Sequence, residues 1–228
     1  MKKLIDNGLE AWEVNAKFWD EQMGDNSNFF HRDIVRPSVE KLLDLKKDDL
    51  VLDIACGNGN FSEYMAKLGI QVVAFDYSPK MIELAKKRRA KFLDKITFSV
   101  CDATDYSQLL TLKQNKLFTK AVANMAIMDI SDIEPLFKAV YEMLESNGSF
   151  VFATHHPAFT YPNNDYFSSS IDKGIAIEGQ PVKHNYYHRS ISDIFNCAFK
   201  FGFTVNGFYE IPFENEKTPI IMVIRLQK

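Results

Sequence analysis

The sequence predicts an α/β fold: a doubly wound, seven-stranded sheet, mostly parallel, with a C-terminal antiparallel hairpin and a helical N-terminal cap. Three observations predict it. From residue 50 onward, short apolar runs alternate with amphipathic helical patterns, the rhythm of a parallel sheet covered on both faces. The last two strand-like runs, 203–211 and 220–226, are joined only by a short polar loop containing Glu214-Asn215-Glu216-Lys217, so they must be antiparallel. Ahead of residue 50, apolar residues recur at helical spacing.

Taken in order, Leu9, Trp12, Ala16 and Trp19 mark a first helix, and a second spans about 37–45. The polar loop Met23-Gly24-Asp25-Asn26-Ser27-Asn28 separates them and leads into an aromatic and basic cluster, Phe29-Phe30-His31-Arg32. Strands follow at 51–55, 71–75, 96–100, 121–125 and 149–154, with helices at 61–68, 79–89 and 133–144. Ser78-Pro79 places a capping hydroxyl before a first-turn proline. Ser131-Asp132-Ile133-Glu134 reads as a capping box, Ser190-Ile191-Ser192-Asp193 as a weaker version, and Asn147-Gly148 as a helix stop. The run Lys86-Lys87-Arg88-Arg89 with Lys91 reads as a solvated helix end favoured by the helix dipole. After the fifth strand the rhythm breaks. Residues 155–189 are rich in aromatics, histidine, asparagine and glycine, and an irregular segment of that length is a lid or binding loop. A helix at 191–201 precedes the final hairpin.

Composition narrows the function classes. The 228 residues, 46% hydrophobic and 25% charged, are those of a soluble globular protein. A net charge of −3 argues against nucleic-acid binding by bulk electrostatics, although the local basic run leaves a transfer RNA acceptor open. Cys56, Cys101 and Cys197 lack metal-ligand spacing and fit a reducing compartment. Two lysines open the chain with no apolar region behind them, and no apolar run approaches the roughly 20 residues of a membrane span. A cytoplasmic protein without membrane insertion is expected.

The stretch VLDIACGNGN, residues 51–60, runs a strand into a glycine-rich turn. Open parallel sheets bind ligands beyond the carboxyl ends of their strands, and glycine lets backbone approach a ligand without a Cβ in the way. Asp76 ends the second strand, where a carboxylate can accept both ribose hydroxyls. Asp102 and the N–H of Ala103, after the third strand, could meet an adenine edge. A dinucleotide fingerprint would need a third glycine, and Ser62 stands there instead. Asp53, inside the strand end, could reach a cationic amine.

These residues resemble the class I S-adenosylmethionine-dependent methyltransferases. The matching pieces are the glycine-rich run Asp53-Ile54-Ala55-Cys56-Gly57-Asn58-Gly59-Asn60, then Val72-Val73-Ala74-Phe75-Asp76-Tyr77-Ser78 with Met81, Cys101-Asp102-Ala103, and Ala123-Asn124-Met125-Ala126-Ile127-Met128-Asp129. The last of these, with Tyr187-His188-Arg189-Ser190, is similar to a bacterial small-molecule subgroup near the quinone-biosynthesis methyltransferases. Ala55 departs from the family, which more often has glycine there. The resemblance implies a Rossmann-like single domain over 1–228: a cap at 1–45, a cofactor-binding core at 46–154, a substrate-side insertion at 155–189, and a final helix and hairpin at 190–228.

It also implies that Asp53, Ala55 and Gly57 surround the methionine part of S-adenosyl-L-methionine, with Cys56, Gly59 and Asn60 in the same turn. Asp76 would hold the ribose, Tyr77 and Met81 the adenine faces, and Asp102 and Ala103 the adenine edge. Asn124 and Met125 would lie near the sulfonium, and His31 with Arg32 could bind the cofactor's carboxylate. Each position has a plainer reading beside it. Gly57 and Gly59 could simply form a tight turn, Asp53 could cap a helix, Met81 could pack in the core, and Asp102 could form a turn. Trp12, Phe18 and Trp19, at helical spacing, read as core before they read as a lid, and Asp129 as a helix start before a base.

A sulfonium is already an activated methyl donor, so catalysis reduces largely to positioning, and a base is optional. The base candidates are His155, His156, Tyr187 and His188, with His31 near the amino end. The acceptor expected is a small ring-bearing or apolar molecule; monomer and homodimer both remain open. Two other classes stay open: a nicotinamide-dependent oxidoreductase, disfavoured by Ser62 and the hairpin, and a protein that binds the nucleoside without turnover.

Overall fold

The computed structural model describes residues 8–159, 165–213 and 217–228. Most of the Glu214-Asn215-Glu216-Lys217 loop and the opening lysines therefore lie outside the described residues. The amino end forms helix α1 (Gly8–Met23), a π-helical turn (Phe30–Val35) and α2 (Arg36–Leu43). Strands and helices then alternate: β1 (Leu50–Ile54), α3 (Asn60–Lys67), β2 (Gln71–Asp76), α4 (Pro79–Arg88) and β3 (Ile96–Val100). Next come α5 (Tyr106–Leu110), β4 (Phe118–Asn124), α6 (Glu134–Met143) and β5 (Leu144–His155). Strands β6 (Ser170–Gly174) and β7 (His184–His188) make a separate hairpin before α7 (Ile191–Lys200), β8 (Thr204–Ile211) and β9 (Ile221–Gln227).

The main sheet has the predicted seven strands, in the order β3-β2-β1-β4-β5-β9-β8. The first five pair in parallel, and β9 runs antiparallel to both β5 and β8. The inner strands are buried on both faces, which is why β1 and β2 read as mainly apolar runs, whereas the edge strand β3 alternates buried and more exposed residues. In β1, Leu52 and Ile54 join one core with Phe137, Phe150 and Phe152, while Val51 joins the other with Val39, Met65 and Val122. The chain winds one way from β1 to β2 and β3, and the other way through β4 and β5. The carboxyl ends of β1 and β4 therefore flank the switch point.

The caps differ in part from expectation. Ser78 Oγ accepts from the Met81 N–H at 3.1 Å, as the sequence predicts. At α6 the expected box is not formed; the Asp132 carboxylate accepts from the Glu134 N–H at 3.0 Å instead, a tighter local turn. The complete box sits at α7, where Ser190 Oγ accepts from the Asp193 N–H and Asp193 accepts from the Ser190 N–H. Asp105 caps the short, unforeseen α5. Helix α6 ends at Met143, ahead of the Asn147-Gly148 stop, and Asn147 takes a left-handed φ of 67° within β5.

The basic run at the end of α4 is not simply solvated. Lys86 and Lys87 face solvent, but Arg88 pairs with Asp20 and Asp25, and Arg89 is buried against Glu63. Arg89 also donates to the carbonyls of Asn58 (3.1 Å) and Gly24 (3.1 Å). These arginines fasten the end of α1 to α4. The other end is held by Glu13, which accepts from Ser78 Oγ and from the Lys80 N–H at 3.1 Å. In mid-helix the Asn15 side chain donates to the Val182 carbonyl at 2.9 Å and accepts from its N–H at 3.1 Å. Among the described residues, no helix is long and apolar enough to cross a membrane.

Candidate functional site

A crevice of about 1940 Å³ opens over the strand tips at the switch point. Pockets for one drug-sized ligand run to about 300–1,000 Å³. The crevice thus has room for two small molecules side by side. Its floor comes from the turns after β1, β2, β3 and β4, its roof from α1, and its far wall from the β6–β7 hairpin.

The glycine-rich turn is shaped by left-handed backbone at Ala55 (φ 51°), Gly57 (φ 54°) and Gly59 (φ 74°). Gly57 lines the crevice, and a Cβ added there would lie 3.8 Å from Trp19 Nε1 on α1. Gly59 has a different duty. A Cβ there would meet the Phe98 ring at 2.8 Å, so this glycine allows close packing beneath the turn and lies outside the crevice lining. Ala55 holds a conformation that favours glycine, which is the physical sense of the departure noted above. Ala55→Gly is expected to raise Tm by about 1–4 °C, from about 0.5–1 kcal/mol of relieved strain. A lower Tm by calorimetry would mean that packing of the methyl group outweighs the strain.

Two carboxylates stand at the tips of β1 and β2. Asp76 lines the crevice; its Oδ2 accepts from the Gly57 N–H and its Oδ1 from the Ser78 N–H, each at 3.0 Å. Burial pushes its pKa up to about 6, against the pull of these N–H groups. Asp53 is 2% exposed and accepts a hydrogen bond from Ser62 Oγ. Ser62, where a dinucleotide motif would have glycine, thus serves the β1 carboxylate. Burial pushes Asp53 up to about 7, opposed by Ser62 and Arg36 and aided by Asp76.

This makes a pH prediction with a definite sign. The folded value lies above the ordinary 3.8, so Asp53 costs nothing in stability below that value. The cost grows as pH rises from there towards about 7 and levels off above it. Asp53→Asn should therefore stabilise the ligand-free protein more at pH 8 than at pH 5, by on the order of 1–2 kcal/mol. Denaturant melts at the two pH values check it.

The other positions that the sequence reading assigned to the nucleoside also come together at the crevice. Tyr77, Met81, Asp102 and Ala103 line the crevice, as do Cys56 and Asn60. Asp102 also forms a turn, its Oδ1 accepting from both the N–H and Oγ1 of Thr104 at 2.8 Å. Asn124 Oδ1 is buried beside the crevice with no hydrogen-bond partner among the described residues. Met125 follows with a φ of 61°, so left-handed residues end both β1 and β4. Strain of this kind clusters where backbone is shaped for a ligand.

On the far side, His155, Tyr187 and His188 line the crevice, and burial holds His155 down at about 4. His188 Nε2 bonds the Tyr166 carbonyl at 2.9 Å. His156 does not join them: it turns from the crevice to Glu210 Oε1 at 3.0 Å, and its Nδ1 accepts from the Ala158 N–H. Successive residues of a strand face opposite ways, so His155 and His156 could not both point inward. The pair His31 and Arg32 is likewise split. His31 lines the crevice, while Arg32 faces solvent and bonds Asp33. The buried guanidinium at the crevice is Arg36, stacked over Phe61 and Tyr64 at 5.2 and 5.6 Å.

Four further lining residues carry chemistry that the sequence reading missed or set aside. Arg36 follows directly on the π-helical turn, and nothing in its local sequence sets it apart from Arg32, which faces solvent. Trp12 and Trp19 line the crevice, whereas Ala16 takes the core-facing position. Asp129 also lines it, 3.6 Å from His184 Nε2; it closes a short 3-10 turn and does not start a helix, α6 beginning at Glu134. The alternation His184-Asn185-Tyr186-Tyr187-His188 was the available signal for β7 and its inward face.

The fold and this site define the class. The chain belongs to the methyltransferase domain family, whose profile matches residues 45–190. It is similar to the ubiquinone biosynthesis O-methyltransferase of Pelagibacter ubique, 32% identical over 64% of this chain. It is also similar to phosphoethanolamine N-methyltransferase 1 of Zea mays, 27% identical over 68% of this chain. The chain matches 59% of the length of the first and 31% of the second. An S-adenosylmethionine dependent methyltransferase of Mesorhizobium loti shares the fold, with a TM-score of 0.63 at 21% identity, covering 84% of this chain and 96% of that one. The resemblance read from the sequence is borne out at the level of family and fold.

Proposed function

We propose that this chain transfers the methyl group of S-adenosylmethionine to a small-molecule acceptor held beneath the 155–189 segment. The observation that carries this reading is Asp76. Its two oxygens are steadied by the backbone N–H groups of Gly57 and Ser78, with that of Tyr77 beside them, and the carboxylate so held lines the crevice at the tip of β2, where a ribose diol would donate to it. The cofactor fits the residues present. The left-handed turn at Ala55 and Gly57 brings backbone to the crevice, and Asn124 Oδ1 is a buried acceptor in need of a donor.

When bound, the cofactor supplies a methyl group on a sulfonium, already activated for transfer. The chain's own residues bind and orient. Asp102 and Ala103 would meet the adenine edge, and Tyr77 and Met81 its faces. Asp53 would attract the ammonium of the methionine part, and Arg36, in place of Arg32, its carboxylate. Trp12 and Trp19 on α1 would keep water from the donor. Residues 1–228 are read as one methyltransferase domain with a helical cap and a substrate-side insertion, and its three free cysteines support a cytoplasmic setting. Ser62, committed to Asp53, and the antiparallel β9 weigh against a nicotinamide dinucleotide.

Calorimetric titration tests the reading. S-adenosylhomocysteine should bind saturably at one site, and NADH should give no heat of binding. Binding of NADH without S-adenosylhomocysteine would overturn it. Tight S-adenosylmethionine binding with no S-adenosylhomocysteine formed from any acceptor would leave a binding protein instead.

A further inference from the structure

The acceptor side of the crevice is bounded by a continuous belt of rings. His31 meets Trp19 at 5.8 Å, Trp19 meets Trp12 at 5.2 Å, and Trp12 meets His184 at 4.7 Å. His184 then meets Tyr186 at 4.5 Å, and Tyr186 meets His155 at 5.2 Å. All six rings line the crevice, and they arrive from α1, the π-helical turn, β7 and the end of β5. Burial holds each of the three imidazoles down at about 4, so the belt carries no positive charge at neutral pH.

A carboxyl group stands against this belt; burial, with Asp76 adding to the rise, pushes it well above the usual carboxylate range, so an ammonium seated there is what would hold it ionised. Asp129 Oδ1 is buried with no hydrogen-bond partner among the described residues, and His184 Nε2 lies 3.6 Å from it. The His184 tautomer follows from its neighbours. Gln180 Nε2 donates to the Val182 carbonyl at 2.7 Å, which fixes the amide's orientation, and lies 3.0 Å from His184 Nδ1. That nitrogen must therefore accept, and the single ring proton sits on Nε2, facing Asp129. The nearby Arg189 spends its guanidinium on the carbonyls of Ile130 (2.6 Å) and Ser131 (2.7 Å).

A carboxylate walled by aromatic faces and uncharged imidazoles attracts an ammonium twice over, by charge and by the ring quadrupoles, and repels an anionic acceptor. We propose that the methyl acceptor is a small amine, seated as its ammonium against Asp129 inside the ring belt, with Asp129 taking its proton and His184 as the positioning residue for Asp129. This rests on the methyl-transfer reading above and names the acceptor class for the same crevice. In the step, one N–H bond of the ammonium breaks and its proton passes to an Asp129 carboxylate oxygen. The lone pair left on nitrogen forms the N–C bond while the donor's S–C bond breaks, its electron pair staying on sulfur. Carboxylate and sulfonium become carboxylic acid and thioether, and the nitrogen leaves as a methylated ammonium.

Tyramine, which carries an amine and a phenol on one small molecule, tests the choice of nucleophile. Incubated with S-adenosylmethionine and the full chain, it should give N-methyltyramine by mass spectrometry and NMR. An O-methylated product overturns the amine assignment and leaves methyl transfer standing. Failure to N-methylate any of tyramine, phenethylamine and benzylamine overturns it as well. A second readout is free of turnover: phenethylamine should bind the complex with S-adenosylhomocysteine, and Asp129→Asn should weaken that binding by about tenfold or more. S-adenosylhomocysteine affinity should change by less than about twofold, which also reports that the variant folds. Equal phenethylamine affinity in both proteins, or none in the natural one, sinks the proposal. Absence of S-adenosylhomocysteine binding in the natural chain would instead sink the reading beneath it. His184→Phe keeps the ring and removes the Nε2 proton. It should lower kcat for tyramine by about tenfold while KM stays within about threefold. An equal loss in both constants would remove His184 from the proposal.

Discussion

Arg89→Leu is expected to lower the free energy of unfolding by about 3–5 kcal/mol, the scale for removing one partner of a buried ion pair. The side chain of Arg89 is 1% exposed and that of its partner Glu63 is 13% exposed. Leucine would leave Glu63 with only the partly exposed Lys67 at 2.7 Å and would take a donor from the Asn58 carbonyl, while the Gly24 carbonyl would keep the side-chain amides of Asn58 and Asn60. At roughly 2–4 °C per kcal/mol for a chain of this size, Tm should fall by about 6–20 °C. The effect reaches the site, because Asn58 lies within the glycine-rich turn and the Arg89 stem packs beneath Gly59. A shift under about 2 °C in a thermal melt would restore the solvated reading of the basic run.

Asp76→Ala is expected to weaken binding of S-adenosylhomocysteine by about 1–3 kcal/mol, roughly 5- to 150-fold. Two effects add. The ribose acceptor is lost, and the N–H groups of Gly57 and Ser78 lose the oxygen that fixes the turn. A pH trend separates the first from the second. Asp76 accepts best when ionised, and its pKa is pushed up to about 6, so affinity in the natural chain should rise as pH rises through that value. The alanine variant should lack the Asp76 share of that rise. Calorimetry showing unchanged affinity would remove Asp76 from the site.

The sheet was legible because its inner parallel strands are buried on both faces, so composition marks them, while the edge strand β3 shows as an alternation of buried and more exposed residues. The floor of the crevice was legible for a related reason: Asp53, Gly57, Asp76 and Asp102 each sit at or just beyond a strand end, where local sequence and position coincide. Its roof and far wall were not. Helical spacing shows that Trp12 and Trp19 share a face with Ala16, but not that the face splits between core and crevice. The run at 86–89 shows charge without showing that Asp20 and Glu63 wait for it from other elements. Strand β7 is only five residues long, and nine residues separate it from β6, so its period-two pattern was lost in an irregular segment. Asp129 and His184 meet only through the fold, 55 positions apart in sequence.

The amide clasp between Asn15 and Val182 has a mechanical corollary. It ties the helix that roofs the crevice to the segment leading into β7 on its far wall, so an outward swing of α1 would have to break both bonds or draw that wall along.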